Sequence, residues 1–250
     1  MNKVIAIAQH KGGVGKTTTT INLGAALQRK GYKVLLIDLD AQANLTESLA
    51  VSSEQSKGIL EALKGQAKPE SLTIKTQSGL DIIAANIDLA GLEVELLNAV
   101  GRELILKEVI KPLRKHYDYI LIDCAPSLGL LTVNALTAAD LVYIPLQAEY
   151  LAIKGLNTLI DIITLIKKHL NKKLDIGGVI ITQYDSRKVL NRNTGEAVNK
   201  LLKGKVLKTK IRENIALAEA PTAGQDIFNY APSSNGAADY KALADEIVKR

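Results

Sequence analysis

The chain contains no tryptophan, one phenylalanine, one methionine, one cysteine and three histidines among its 250 residues. A lone cysteine, Cys124, excludes an intrachain disulfide and a cysteine-only metal site. Set next to Asp123 in an apolar run, it reads as a small buried filler. His10, His116 and His169 stand far apart, unpaired with acids at metal-ligand spacing, so none is assigned a catalytic role. The longest apolar runs fall well short of the ~20 residues that span a bilayer. No charged-then-apolar leader precedes the strand-like sequence at Val4, and a cytoplasmic protein is expected. Repeats, linkers and low-complexity tracts are missing as well. With 250 residues and 47% apolar content, this argues for one α/β domain over residues 1–250. Scarce aromatics fit a parallel sheet built from Val, Ile and Leu.

Charge is unevenly placed. Residues 1–150 carry 15 Lys+Arg against 16 Asp+Glu, whereas residues 151–250 carry 17 against 10. Nine basic residues (Arg187, Lys188, Arg192, Lys200, Lys203, Lys205, Lys208, Lys210, Arg212) crowd the window 187–212, where Glu196 is the single acid. Such a cluster reads either as a polyanion-binding face or as a solvated lysine-rich surface, and charge alone does not separate the two.

Strand-like runs alternate with helical ones. Strands are expected at Lys3–Gln9, Lys33–Asp38, Leu80–Ala84, Asp118–Asp123, Leu141–Pro145, Gly178–Thr182 and Val206–Lys210. Helical patterns lie near 16–30, 91–97, 101–115, 128–138, 151–170, 191–202 and 235–249. Residues 52–78 are polar and irregular and read as short surface helices and loops. The alternation specifies a doubly wound, mostly parallel sheet flanked by helices, with ligands at the carboxyl ends of the strands.

Between the first strand and the first helix stands Lys11-Gly12-Gly13-Val14-Gly15-Lys16-Thr17-Thr18. Strand, glycine-rich turn and helix let backbone N–H groups curl round a phosphate, and the helix N-terminus adds positive potential. Lys16 then reaches the β/γ-phosphates, and the Thr17 hydroxyl ligates Mg²⁺. An ordinary P-loop has glycine five residues before Gly15. Here His10 takes that position, and a second lysine, Lys11, follows it.

Two more strand tips carry acids. Val34-Leu35-Leu36-Ile37-Asp38-Leu39-Asp40 puts carboxylates at i and i+2, leaving the strand on one side. Asp38 reads as a support of the Mg²⁺ shell or as a structural acid of the turn. Tyr119-Ile120-Leu121-Ile122-Asp123 is a Walker B pattern, weak alone but stronger after a P-loop, because Asp123 can hold a metal-bound water.

With Lys11 opening its loop, the sequence resembles the deviant Walker A ATPases of the ParA/MinD group, and most closely the short ParA/Soj family of partition ATPases that lack an N-terminal helix-turn-helix. The resemblance covers 11–18, Asp38–Gln42, Leu89-Ala90-Gly91, Tyr117–Asn134, Pro145–Gly155 and Ala218-Glu219-Ala220-Pro221. It implies ATP and Mg²⁺ as cofactors and a catalytic set matching Lys11, Lys16 and Asp40. In the family the early lysine crosses a dimer interface to the partner's nucleotide, and the residue matching Asp40 orients or activates the attacking water. Nucleotide contacts map to Lys11, Gly12, Gly13, Val14, Gly15, Lys16, Thr17 and Thr18, with adenine held by Thr182, Gln183 and the loop of Ile211, Arg212 and Asn214. Many relatives carry proline where Arg212 stands. Metal contacts map to Thr17, Asp40 and Asp123. Pro126-Ser127-Leu128-Gly129 resembles the second switch, which senses the γ-phosphate. The segment from Pro145 to Tyr150 resembles one at the family's dimer face, although Glu149 reads equally as a strand end entering a helix.

The partners implied are a second copy in the ATP state, non-specific double-stranded DNA and a ParB-like activator, giving nucleoid association. Arg187 matches the family's DNA-binding arginine, with Arg192, Lys200 and Lys203 nearby. No membrane partner is expected, since Ala238–Arg250 reads as a helix docked on the sheet. Alternatives are a MinD-like membrane-associated ATPase and a metabolic ATPase or GTPase of the same superfamily. Thr182–Asp185 is similar to the guanine-reading element of GTPases, but Gln183 replaces its lysine. A non-enzymatic switch fits poorly with Lys16, Thr17, Asp40 and Asp123 all present.

Overall fold

Successive strand residues feed two different cores. In the computed structural model, Val4 and Ala6 of the first strand join one buried cluster, while Ile5 and Ile7 join the other. Leu35, Ile37 and Leu39 likewise oppose Val34 and Leu36, and Ile120 and Ile122 oppose Tyr119 and Leu121. Strands apolar on both faces require cover on both faces. The structure describes residues 2–54, 56–148, 152–188, 196–202 and 204–250.

Among these, eight strands form one sheet: β1 (Lys3–Ile7), β2 (Val34–Leu39), β3 (Thr73–Lys75), β4 (Asp81–Ile83), β5 (Tyr119–Cys124), β6 (Leu141–Gln147), β7 (Asp175–Tyr184) and β8 (Val206–Arg212). Their order is β3-β4-β2-β5-β1-β6-β7-β8. All neighbours are parallel except β3 with β4. One face is covered by α3 (Ile59–Leu63), α4 (Leu89–Glu95), α5 (Ile105–Ile110), α6 (Leu130–Ala138), α7 (Ala152–His169) and α8 (196–201). The other is covered by α1 (Lys16–Arg29), α2 (Asn44–Ser48), α9 (Ile215–Glu219), α10 (Ile227–Tyr230) and α11 (Asn235–Val248). The doubly wound α/β expectation holds.

Central β1 lies between β5 and β6, so the chain winds outward in both directions from it. The carboxyl ends of β1, β2 and β5 meet there, at the switch point where such folds bind ligands. Register fixes the detail: Asp38 of β2 pairs with Asp123 of β5.

Two expectations need correction, and two short helices add to what the sequence predicts. The helix expected over 101–115 is broken into turns, α5 and a 3₁₀ turn at Leu113–Lys115, because Pro112 lacks the N–H needed to continue the ladder. The irregular 52–78 segment contains β3, whose three residues are too few to show alternation. Between β8 and the last helix, α9 and α10 start at Asn214 and Asp226, whose side chains accept backbone N–H bonds as caps. The last helix docks as expected, burying Ala237, Tyr240, Leu243, Ala244 and Ile247. No helix of the described residues is long and apolar enough to cross a membrane.

Candidate active site

β1 delivers the chain into the glycine-rich loop. Gly13 and Gly15 adopt φ of +72° and +85°, a left-handed backbone that strains any L residue with a side chain. Gly15 turns the chain directly into α1. No atom lies within 4 Å of where a β-carbon on Gly12 or Gly13 would stand, so the loop face is open. It borders a hollow of about 430 Å³ whose lining includes Gly12, Gly13, Gly15, Lys16, Thr17, Thr18, Asp40, Pro126, Gln183 and Pro221. The Lys16 ammonium donates to the Lys11 carbonyl at 3.3 Å. Burial lowers its pKa from the ordinary lysine value, while Asp123, Cys124 and Asp40 act the other way.

Thr17 donates its hydroxyl to Asp123 Oδ2 at 2.6 Å, and Thr20 reaches Oδ1 at 3.4 Å. Asp123 is buried. Desolvation, and then its neighbour Asp38, push its carboxyl above the usual carboxylate range, while Thr17 and Lys16 oppose the rise. A cation would relieve that crowding. The donors on offer, a hydroxyl and carboxylates, are hard oxygens suited to Mg²⁺. Among the described residues no group of three His, Cys, Asp or Glu could hold a metal unaided. Mg²⁺ binds through few protein ligands plus phosphates and water.

The two acids of the β2 tip differ in use. Asp38 is fully buried and accepts from Thr46 N at 2.9 Å, the Thr46 hydroxyl at 2.7 Å and Asp40 N at 3.2 Å. It is the structural acid of the turn. Thr46 Oγ1 in turn accepts Ala85 N at 3.0 Å, so one hydroxyl links the tips of β2 and β4. Asp40 instead lines the hollow, its carboxylate accepting Gln42 N at 3.0 Å. Three residues past Asp40, Ala43 sits at φ +51°, the kind of strained backbone that clusters at functional turns. Thr46 gives no sequence signal, standing eight residues from its acid. Thr20 had one: it lies one turn beyond Thr17 on the same helix face.

From β7, Thr182 donates to the Val14 carbonyl at 2.8 Å and Gln183 Nε2 to the Gly13 carbonyl at 2.8 Å. Gln147 Nε2 donates to Gln183 Oε1 at 2.8 Å. Both β7 residues therefore brace the loop backbone. Arg212 and Asn214 line a neighbouring hollow of about 520 Å³ with Tyr184, Asp185, Ser186 and Arg187. Asp239 holds Arg212 through Nε at 3.0 Å and through its backbone N–H at 3.0 Å, a bond that a proline there could not make. Asn214 caps α9. The Ile211 side chain is buried in the core, so anything it offers a nucleotide comes from its backbone.

Four of the seven described basic residues of the window pair with acids from outside it. Arg187 pairs with Asp185 at 2.9 Å, Lys188 with Glu213 at 3.5 Å, Lys205 with Asp175 at 2.9 Å and Arg212 with Asp239 at 2.6 Å. Lys208 and Lys210 lie on β8, an edge of the sheet, where lysines discourage pairing with another chain. Lys200 is exposed on α8. Arg192, Lys203, Glu149 and Tyr150 lie outside the described residues.

A family model described as an AAA domain matches residues 2–176. The sporulation initiation inhibitor protein Soj of Bacillus subtilis is 46% identical over 250 residues, covering 99% of both chains. The chromosome partitioning protein ParA of Myxococcus xanthus is 42% identical over 252 residues, covering 100% of this chain and 89% of that one. Among solved structures, cobyrinic acid a,c-diamide synthase from Mycobacterium smegmatis, with bound ADP and magnesium, matches at a TM-score of 0.88 and 37% identity, over 100% of this chain and 95% of the other. With full-length likeness to Soj and ParA, a P-loop opened by Lys11 and a doubly wound sheet, the chain belongs to the ParA/Soj family of partition ATPases.

Proposed function

We propose that this ATPase acts as an ATP-dependent dimer that holds non-specific DNA in its ATP state, positions or segregates DNA or other cargo, and is driven through its cycle by a ParB-like activator. The observation that carries the reading is the two-lysine loop set on the hollow that Asp40 lines and against the Thr17–Asp123 pair.

In this reading the loop N–H groups and Lys16 take the β- and γ-phosphates of ATP. Thr17 directly, and Asp40 and Asp123 through water, would hold Mg²⁺, which screens charge developing on the phosphoryl oxygens. The magnesium and ADP bound to the Mycobacterium smegmatis relative support this choice. Asp40 orients the attacking water for in-line displacement. Lys11 reaches the nucleotide of the partner copy and adds positive charge there. Thr182 and Gln183 steady the loop, and adenine lies toward Arg212 and Asn214.

DNA is held through phosphate contacts from Arg187 and Lys200, with Arg192 and Lys203 in the same stretch of sequence. Doubling the patch by dimerisation couples DNA affinity to ATP. Nucleoid association in the cytoplasm follows. The apolar face of α11 is spent in the core, which argues against its use as a lipid anchor.

The test is binding of non-specific duplex DNA with ATP, with ADP and without nucleotide across a salt series. Binding should require ATP, and log affinity should fall with log salt at a slope of about −0.9 per neutralised phosphate. Absence of binding under ATP at low salt would overturn the DNA reading and turn attention to membranes or a metabolic substrate.

A further inference from the structure

We infer that Asp185 competes with DNA phosphate for Arg187 and thereby sets how tightly the protein holds DNA; this rests on the reading of Arg187 as a DNA contact. Arg187 points outward, its side chain 88% exposed, while the side chain of Asp185 beneath it is 13% exposed. Asp185 Oδ1 accepts the Arg187 backbone N–H at 2.9 Å and Nε–H at 3.0 Å, and Oδ2 accepts an Nη2–H at 2.9 Å. The carboxylate therefore meets the guanidinium fork through both of its oxygens. A phosphate uses the same fork in the same way. The two anions want the same N–H groups.

Asp185 is a permanent anion. Hydrogen bonds from Arg187 hold its carboxyl at about 2, well below the usual range, with Lys188 adding to the effect. Glu213 adds a weaker negative influence on Arg187, and its own carboxylate pairs with Lys188 at 3.5 Å. Arg187 thus meets DNA with its charge already answered.

The competitor is also fixed in place. Asp185 follows Thr182 and Gln183, which are tied to the Val14 and Gly13 carbonyls of the phosphate loop. Tyr184 between them is pinned by Lys210, whose ammonium lies 4.2 Å from the ring centroid, and by Glu213 N donating to its carbonyl at 3.3 Å. The acid hangs on the strand tip that braces the nucleotide site.

Asp185→Asn removes the charge and keeps an acceptor for the Arg187 backbone N–H, so the local turn is preserved. Asp185→Ser provides a second neutral acceptor. Non-specific duplex binding is measured for wild type, both variants, Arg187→Ala and the Asp185→Asn/Arg187→Ala double variant, with ATP and without nucleotide. Both Asp185 variants should bind tighter, by up to about five-fold, the limit for an exposed ion pair. The gain should vanish in the double variant. If Arg187→Ala weakens binding but the Asp185 variants bind no tighter, the competition is overturned and the DNA contact stands. If Arg187→Ala binds like wild type, the DNA-contact reading itself has failed, and the competition falls with it.

Discussion

The imidazole of His10 lies so close to the backbone of Gly155 that a β-carbon on Gly155 would fall 2.2 Å from Cε1 and 2.7 Å from Nε2. His10 Nδ1 faces Gln9 Oε1 at 2.9 Å, and Gln9 is buried. The entry to the phosphate loop is thus seated on a bare turn of α7. Gly155→Ala should cost about 1–3 kcal/mol through overpacking, less the ~1 kcal/mol that alanine gains over glycine inside a helix, and weaken ATP binding by displacing the loop. His10→Ala in the same chain should restore part of both. Urea unfolding and ATP titration measure this; a Gly155→Ala protein that binds ATP like wild type would mean the contact does not position the loop.

Asp40 and Asp38 stand two residues apart and should respond differently. The Asp40 carboxylate makes a local bond to Gln42 N at 3.0 Å, so Asp40→Ala should fold and retain ATP. Hydrolysis should fall by about 100-fold or more, the usual scale for losing a group that directs proton transfer or water. In the proposed cycle this variant stays on DNA with ATP bound. Phosphate release at the wild-type rate would remove Asp40 from the water-orienting role.

The hydroxyl of Thr46 donates to Asp38 at 2.7 Å and accepts Ala85 N at 3.0 Å, both in the interior. Thr46→Val keeps the shape, orphans the buried Ala85 N–H and takes one donor from Asp38 Oδ2, which keeps the Thr46 backbone N–H. The orphaned N–H costs about 1–3 kcal/mol and the lost bond to the carboxylate about 1.5–3 kcal/mol, so destabilisation of about 2–4 kcal/mol is expected in urea unfolding, with Thr46→Ser close to wild type. Equal stability of the valine variant would show that the two strand tips are not linked through this hydroxyl.

Much of the architecture was legible because its signals are local. Apolar runs such as Ile5-Ala6-Ile7 and Ile120-Leu121-Ile122 mark strands buried on both faces, and the glycine loop between strand and helix marks the site. What stayed hidden depends on partners distant in sequence. The window 187–212 looked strongly basic, yet Asp175 and Asp239 arrive from 30 and 27 residues away to pair with Lys205 and Arg212. Glu93 of α4 accepts Leu131 N at 3.1 Å and so caps α6, a role for which Gly129 clears the space. Nothing in the order of residues announces that contact. Short helices such as α10 escaped because four residues cannot display a helical period.

Two threonines on α6 should respond oppositely to the same substitution. Thr132 donates to the Ser127 carbonyl at 2.7 Å, next to the turn that follows β5. Thr137 is fully buried, and its hydroxyl finds no partner among the described residues. A mid-helix threonine ordinarily bonds back to the carbonyl one turn earlier; Thr137 does not, so its hydroxyl was stripped of water without compensation. Valine has nearly the same shape and helix propensity, leaving the hydroxyl as the difference. Thr137→Val should therefore stabilise the fold by about 1 kcal/mol or more, which for a chain of this size raises the melting temperature by about 2–4 °C. Thr132→Val should lower it, because the Ser127 carbonyl loses its donor. Parallel thermal melts of the two variants decide the matter, and a Thr137→Val protein that melts at or below wild type would mean that the hydroxyl is satisfied in solution.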